Sequence, residues 1–339
     1  MTTRNKAALL FTAISLMIAV SVSAQDNFKD LQKNIDDLSD DMAKALPFNS
    51  TIGLNWSDAY IGQLISAPPH FGVGISGGAT TINLGSINKI LSYFGKDLGG
   101  ITSDIGGGGM VLPAYTAEAR IGGFILPFDV GLKTGYLSKL ESLSNLEYLL
   151  IGGEVRYAVL KGNVALPKVS IGLGVNYIHG GIGMSGGESQ EFYIGEGDNK
   201  LKITDPRMDF TWESTSIDLK AQISKSFLII TPYLGLGGSW AMSKVGYEVT
   251  STVMYNGNSL TDAEVKNINA ALGGAAPINL TSGGFSSSKE NLNGWSLRAF
   301  GGFSVNMSVI RLDLTGMINF LDLKNYAAFG ATLGVRFQL

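Results

Sequence analysis

The sequence predicts an all-β fold: an antiparallel transmembrane β-barrel of about ten strands, within a range of eight to twelve. Long stretches alternate apolar and polar residues with a period of two, which is the period of side chains on a β-strand. The polar side of this alternation is rich in glycine and in charged residues of opposite sign. Together these features predict a barrel with an N-terminal amphipathic helix and helical pieces in its outer loops.

The alternation is clearest in the closing stretch, residues 325–339. Its odd positions from 327 onward are all apolar and its even positions are small or polar, so a strand here has one apolar face. No segment after residue 24 is long and apolar enough to predict a membrane-spanning helix. Nine earlier stretches alternate in the same way, at about residues 70–77, 115–122, 128–136, 149–159, 169–177, 215–223, 228–240, 295–305 and 310–320.

The polar face of these strands indicates which side of the sheet meets lipid. A secreted β-sandwich would bury the apolar face between two sheets, whereas a membrane barrel turns that face to lipid. Glycine weakens an exposed strand but suits a narrow interior in which charges satisfy one another. Seven basic against five acidic residues predict little preference for anions. The predicted network in the lumen consists of Glu118, Arg120, Asp129, Lys133, Glu154, Arg156, Asp218, Lys220, Arg298, Arg311, Asp313 and Arg336.

The N-terminus predicts export. Arg4 and Lys6 precede an apolar run over residues 7–22, and small residues at 22–24 predict cleavage after Ala24. The exported chain keeps 23 basic against 28 acidic residues, a net charge of about −5 that disfavours a nucleic-acid partner. The absence of cysteine excludes thiolate metal sites, and two histidines leave little for a metal, so we predict no cofactor.

Three features resemble bacterial outer-membrane β-barrel proteins: the signal peptide, the phrase Thr-Pro-Tyr-Leu-Gly-Leu-Gly at 231–237 and the closing strand. The resemblance covers about residues 70–339. It implies a monomer in the outer membrane of a diderm bacterium, with outer-membrane lipid and the barrel-assembly machinery as partners. The last residue departs from the common aromatic ending, so the resemblance implies that Phe337, with the terminal Leu339, is the assembly signal.

The connections fit the ten-strand count. Outer-membrane barrels have an even strand number, short periplasmic turns and longer outer loops. The short set lies at about 126–127, 161–167, 224–226 and 306–308, and the other set lies at about 81–113, 138–145, 183–207, 243–289 and 321–324. Two of the long loops carry helix signals, at residues 86–95 and 261–273, where the second begins with a capping box.

Residues 25–69 form a separate segment between the signal peptide (1–24) and the barrel (70–339). Apolar residues recur at spacings of three and four over residues 26–46, which predicts an amphipathic helix that ends at Pro47. We expect this helix in the periplasm, packed against its own chain; a plug in the barrel or a short coiled coil are the alternatives. Trp56 and Tyr60 suit an interfacial or plugging role.

Motifs that suggest catalysis have simpler explanations. The G-x-G-x-x-G pattern at 72–77 is followed by more strand rather than by a helix, so lumen-facing glycines explain it. The G-x-S-x-G pattern at 183–187 has no histidine after Ser185. His179 lies at the predicted outer rim, where barrel hydrolases keep their sites, and His70 is expected to cap the periplasmic mouth. Acids that could assist His179 are Glu188, Glu191, Asp205 and Asp209.

The sequence therefore predicts a protein that is not an enzyme, with no catalytic, cofactor-binding or metal-binding residue. The first hypothesis is passage of a small solute, hydrophobic solutes included, past a plug. A surface or adhesin-type barrel whose long loops bind a partner is the alternative, and a rim hydrolase is a third. Side chains that would suit a solute path are Trp56, Tyr60, Phe94 and Met110.

Overall fold

In the computed structural model, thirteen strands and an N-terminal helix at residues 36–49 are described. The described residues are 33–34, 36–83, 89, 109–140, 146–185, 190–193, 200–255, 257–259, 261–263, 265–266, 279–281, 283–321 and 328–339. The strands are β1 (Phe71–Asn83), β2 (Gly109–Gly122), β3 (Phe128–Leu140), β4 (Leu146–Leu160), β5 (Lys168–Ser185), β6 (Gln190–Tyr193), β7 (Lys200–Ser224), β8 (Ile230–Tyr255), β9 (Asn258–Ser259), β10 (Asn279–Thr281), β11 (Gly284–Met307), β12 (Ile310–Asn319) and β13 (Ala328–Gln338).

Ten of these strands close an antiparallel barrel, which confirms the predicted fold class and strand number. Each long strand pairs with its neighbours in chain order, β8 pairs with β11, and β13 pairs with β1 to close the ring. The short strands β6, β9 and β10 pair with the ends of β7, β8 and β11. Among the described residues, no helix combines the length and hydropathy needed to cross a bilayer.

The two ends of the barrel differ in their connections. At one end the connections are 123–127, 161–167, 225–229 and 308–309; at the other they are 84–108, 141–145, 186–199, 256–283 and 320–327. Short turns lie in the periplasm in outer-membrane barrels, so the first end is the periplasmic end and the second is the outer end.

The side-chain alternation of the strands is as predicted over the periplasmic half. Ile75, Leu219 and Leu333 are each more than 60% exposed on the outside, whereas Arg120 and Arg298 are buried inside. An apolar outer surface around a buried, charged interior is the opposite of the arrangement in a water-soluble protein. It is the arrangement expected of a barrel that is surrounded by lipid hydrocarbon. The chain is therefore a transmembrane barrel.

The polarity of the two faces of the wall inverts toward the outer end. In β8, Leu234 and Leu236 point outward, but farther along the same strand Glu248 is exposed while Tyr247 and Val249 are buried inside the barrel. Above the bilayer the outside of the wall meets water. The inside there forms an apolar core that also contains side chains of the N-terminal helix.

This inversion explains why the strands are longer than predicted. β7, β8 and β11 contain 25, 26 and 24 residues and extend into the segments predicted as connections 183–207 and 243–289. A tilted strand needs only about 9–11 residues to cross the hydrocarbon. The prediction followed the pattern of a lipid-facing strand, and that pattern stops where the outer face becomes polar.

Of the helical pieces predicted in the outer loops, one is partly described. Residues 262–263 and 265–266 are helical, and the Val265 amide donates to the Thr261 carbonyl at 3.0 Å. The other, at 86–95, lies outside the described residues except for Lys89, which is helical. The signal peptide also lies outside the described residues.

The N-terminal helix ends at residue 49, three residues beyond the predicted end at 46, and Pro47 lies in its last turn. Proline has no amide hydrogen, so the Ala43 carbonyl loses its usual helical partner. That carbonyl faces Gly294 of β11, where a Cβ atom would lie 1.9 Å from the oxygen. A glycine in the barrel wall is therefore required for this close approach.

Candidate functional site

The candidate site is the barrel lumen, which is filled by the chain's own N-terminal segment, residues 36–61. We call this segment the plug. The helix that was expected in the periplasm lies inside the barrel, because its apolar side chains Leu38, Met42 and Leu46 pack against apolar side chains of the wall. After the plug, Gln63 forms a bridge with Gly123 in the β2–β3 turn at the periplasmic end.

The outer half of the lumen is an apolar compartment around the helix. Inverted strand ends supply the wall, and helix residues fill the middle. Apolar contact of this kind carries no directional constraint, so it is available to any apolar group of suitable size. The buried members on the wall are Ile82, Leu112, Ala114, Leu146, Tyr148, Leu150, Ile178, Met208, Phe210, Trp212, Val245, Tyr247 and Val249.

The periplasmic half of the plug is centred on Asp58, which is 1% exposed. Its carboxylate accepts hydrogen bonds from Arg311 Nη1 at 2.5 Å, Arg336 Nη2 at 3.1 Å and Lys168 Nζ at 3.2 Å. Lys168, Arg311 and Arg336 surround this carboxylate with positive charge and so favour its ionised form. Asp58 is thus a buried carboxylate shared by cations from three strands.

Wall side chains also satisfy the plug's backbone, which has no regular structure after residue 50. Lys133 Nζ donates to the Ser50 and Ile52 carbonyls at 2.7 and 2.6 Å. Gln222 Nε2 donates to the Trp56 carbonyl at 2.8 Å. Because an unpaired backbone group is costly to bury, these wall donors make an irregular plug compatible with the interior.

Hydrogen bonds between wall side chains and the plug backbone continue near Asp58. Arg156 Nη1 donates to the Asp58 carbonyl at 2.8 Å, and the Ala59 amide donates to Ser224 Oγ at 2.9 Å. The Ile61 amide donates to Asp129 Oδ2 at 3.3 Å. Plug and wall therefore form one polar network.

Trp56 anchors the plug against three neighbouring wall strands, β13, β1 and β2. Its Nε1 donates to Glu118 Oε2 at 2.6 Å, while the guanidinium carbons of Arg336 and Arg120 lie 4.6 and 5.4 Å from its ring centre. The ring lies against Gly72, where a Cβ would approach its Cζ3 and Cη2 atoms within 3 Å. The glycine in the wall thus leaves room for the indole.

The structure places the twelve residues of the predicted charge network on the inner face, Arg311 being only partly buried and the rest buried. One group is continuous: Arg120 pairs with Asp129 at 2.5 Å and with Glu154, and Arg156 reaches Asp129 at 2.9 Å. Lys220 pairs with Glu154 at 2.5 Å. Two further pairs are Arg298–Asp218 at 2.6 Å and Arg336–Asp313 at 3.0 Å.

Among the described residues, the cavities found between plug and wall around Gly53 and Asn55 are small. Two cavities, of about 20 and 10 Å³, border Gly53 and Asn55. A cavity of that size holds about one water molecule, so neither admits an organic solute. Around Gly53 and Asn55 the plug therefore leaves no room for an organic solute.

The remaining predicted residues lie elsewhere. Phe337 faces outward, with its ring centre 6.5 Å from that of Phe71, and the Leu339 amide donates to the Phe71 carbonyl at 3.0 Å. His70 Nδ1 lies 3.1 Å from the Leu339 carbonyl at the periplasmic end. Tyr60 is buried in the plug. Phe94 and the side chain of Met110 lie outside the described residues.

The residues proposed for a rim hydrolase do not form a described catalytic group. His179 is exposed on the outer face of β5, beside Glu213 of β7 in the strand register. Asp209 is bound by Arg207 at 2.8 Å. Glu188 and the side chains of Glu191, Asp205 and Ser185 lie outside the described residues.

Sequence reasoning missed Asp58. It follows Trp56 and Ser57 in a stretch without periodicity, so no pattern gave it a direction. One signal was its position as an acid inside the segment that had plugging as an alternative. An excess of two bases among the twelve wall residues was a second, indirect signal that an acid from elsewhere would enter the lumen.

No protein-family model matches the chain, and no curated protein matches it. Similar solved structures include Neisserial surface protein A, at 12% identity and a TM-score of 0.25, covering 79% of this chain and 97% of that one. The translocator domain of the autotransporter NalP from Neisseria meningitidis has 9% identity, a TM-score of 0.36 and coverage of 93% and 99%. The Pseudomonas putida toluene transporter TodX has 6% identity, a TM-score of 0.26 and coverage of 79% and 88%.

Proposed function

We propose that the protein conducts small apolar solutes across the outer membrane and that the plug is its gate. The observation that carries the proposal is that residues 36–61 occupy the lumen without joining any described strand ladder of the barrel. The ten long strands hydrogen-bond to one another and not to the plug, so removal of the plug would leave every ladder between them intact. The plug can therefore move while the barrel stays closed as a ring.

The apolar outer compartment supports an apolar solute. Its wall residues are held there by the strand register, so they remain on the inner face when the helix leaves. A water-filled pore for ions or sugars has a polar interior. Here the outer half would instead provide an apolar binding surface, which includes the rings of Phe210 and Trp212, for a solute that enters from water.

The polar periplasmic half supports gating. Asp58 and its cations are buried, and separating them without water would leave unpaired charges at a cost of several kcal/mol. Water that follows the departing plug would solvate the same groups and reduce this cost. The transition is therefore between a dry, interlocked state and a wet, open one.

Deletion of residues 26–62 tests the proposal. We expect the variant to show ion conductance in planar bilayers and faster entry of the apolar dye N-phenyl-1-naphthylamine into cells that produce it. Asp209→Asn, which alters an ion pair outside the lumen, is the control and should behave like the parent protein. A correctly assembled deletion variant with unchanged conductance and dye entry would disprove passage through this lumen.

A surface-binding function is the second candidate, and the length of three neighbouring strands favours it. β7, β8 and β11 pair side by side and carry polar outward residues, such as Glu248, beyond the bilayer. Surface binding becomes the better explanation if the deletion leaves the barrel closed to ions and dye.

A further inference from the structure

The direction in which the plug crosses the barrel follows from three contacts at different heights. Near the periplasmic end, Ser57 Oγ donates to Ser304 Oγ at 2.7 Å, three residues before the end of β11. In the middle, the Ala43 carbonyl lies against Gly294 of the same strand. Higher still, Lys289 Nζ lies 2.9 Å from Asp40 Oδ1. The plug thus ascends β11 as its residue numbers fall.

The spacing of these contacts fits a helix that stands upright in the lumen. Lys289 Nζ also lies 4.0 Å from Asp36 Oδ1. From Ala43 to Asp36 a helix rises about 10 Å, at about 1.5 Å per residue. From Gly294 to Lys289 a strand tilted by about 40° climbs about 12 Å along the barrel axis. The two estimates agree, so the helix start lies at the level of Lys289.

The level of Lys289 is outside the bilayer. Lys289 lies near the start of β11, at the end opposite the short β11–β12 turn. The side chains of Lys289, Asp36 and Asp40 are 40–51% exposed, and Lys33 one turn earlier is exposed as well. Charged side chains with this exposure indicate a water-filled mouth, in contrast to the buried pairs around Asp58.

We propose that the N-terminal segment spans the whole barrel and displays its helix start, at Lys33 to Asp40, on the outer surface of the cell. The chain then runs inward through the lumen to Gln63 and turns back as β1. This topology is independent of whether the lumen ever opens. It makes the helix start an external epitope, accessible to antibodies or other surface partners.

Single cysteines can test this topology because the natural chain has none. Lys33→Cys would be labelled on intact cells with a maleimide that carries a polyethylene glycol chain too large for porins. Asn258→Cys, in exposed β9 at the outer end, is the control for outside residues. Val164→Cys, in the fully exposed β4–β5 turn, is the control for periplasmic residues.

We expect Lys33→Cys to react on intact cells at a rate within about threefold of Asn258→Cys, while Val164→Cys reacts only after permeabilisation. Labelling of Lys33→Cys only in permeabilised cells would overturn the topology, and so would no labelling in either condition. If Lys33→Cys fails to reach the membrane, Asp36→Cys gives the same test, because its side chain is half exposed.

Discussion

The carboxylate of Asp58 in the plug lies 3.1 Å from the guanidinium Nη2 of Arg336 in the last strand. Both side chains are 1% exposed, so the pair connects two parts of the chain 278 residues apart in a nearly dry interior. The wall around Asp58 supplies Arg311 and Lys168 as well. The plug therefore neutralises a cluster of wall cations. We expect this neutralisation to control how firmly the plug is held and which ions the empty lumen would prefer.

Asp58→Asn should loosen the plug. The amide keeps the shape of the side chain but leaves three cations without their shared anion. Breaking a buried ion pair by removing one partner costs about 3–5 kcal/mol. Water that reaches the three cations would offset part of this cost, so we expect the plugged state to be destabilised by about 2 kcal/mol. In planar bilayers we expect the open fraction to rise about 30-fold, whereas Asp209→Asn should leave it unchanged. An open fraction equal to that of the parent would show that Asp58 does not hold the plug.

Acid should loosen the plug through the same carboxylate. Protonation of Asp58 removes the negative charge that Lys168, Arg311 and Arg336 share, and a free aspartate takes up its proton near about pH 4. Resistance of the plug to added protease should be constant from about pH 7 to 5 and should decline below about pH 4.

The lumen contains other carboxylates, so the informative quantity is a difference between variants. Asp58→Asn should lose the part of the acid sensitivity that Asp58 provides and should show a shallower decline than the parent. Identical pH curves for the two proteins would contradict the assignment.

Gly294→Ala should displace the helix. A Cβ at this position would lie 1.9 Å from the Ala43 carbonyl oxygen, which is backbone and cannot rotate away. We expect an assembled barrel whose helix is cut by protease at least tenfold faster than in the parent. Gly283→Ala is the matched control, because nothing lies within 4 Å of its Cβ position. Equal protection of the helix in both variants would mean that the helix does not dock at Gly294.

Much of the barrel could be predicted from the sequence, because lipid on one side and a narrow interior on the other impose a period of two. That reasoning placed Leu219 outside and Arg298 inside. It did not extend β8 to Tyr255, since above the bilayer the solvent outside is water and the polarity of the two faces exchanges. The plug's path could not be read either: Asp58 is fixed by bonds to residues more than 100 positions away, which leave no local pattern.

Phe337→Ala should reduce the yield of assembled barrel, as expected if the closing strand carries the assembly signal. The ring is exposed on the lipid side, packs near Phe71 and makes no contact with the plug network. A several-fold loss of heat-modifiable protein in the outer membrane, with protein that does assemble retaining normal plug protection, is the expected result. Phe329→Ala, on the same outward face of β13, is the control. Equal losses for both variants would remove the special role of Phe337.

Removal of the plug should leave a channel that prefers anions, although the twelve wall residues alone predict little preference. Asp58 is the anion that offsets Lys168, Arg311 and Arg336 near the periplasmic end, so its departure exposes three cations, of which Arg336 keeps its ion pair with Asp313. In a potassium chloride gradient the deletion variant should therefore show a reversal potential of anionic sign. Arg336→Gln in the same background should shrink that potential because one of the exposed cations is lost, while Arg207→Gln, outside the lumen, should not change it. A cation-selective channel would mean that the cluster around Asp58 does not line the conducting path.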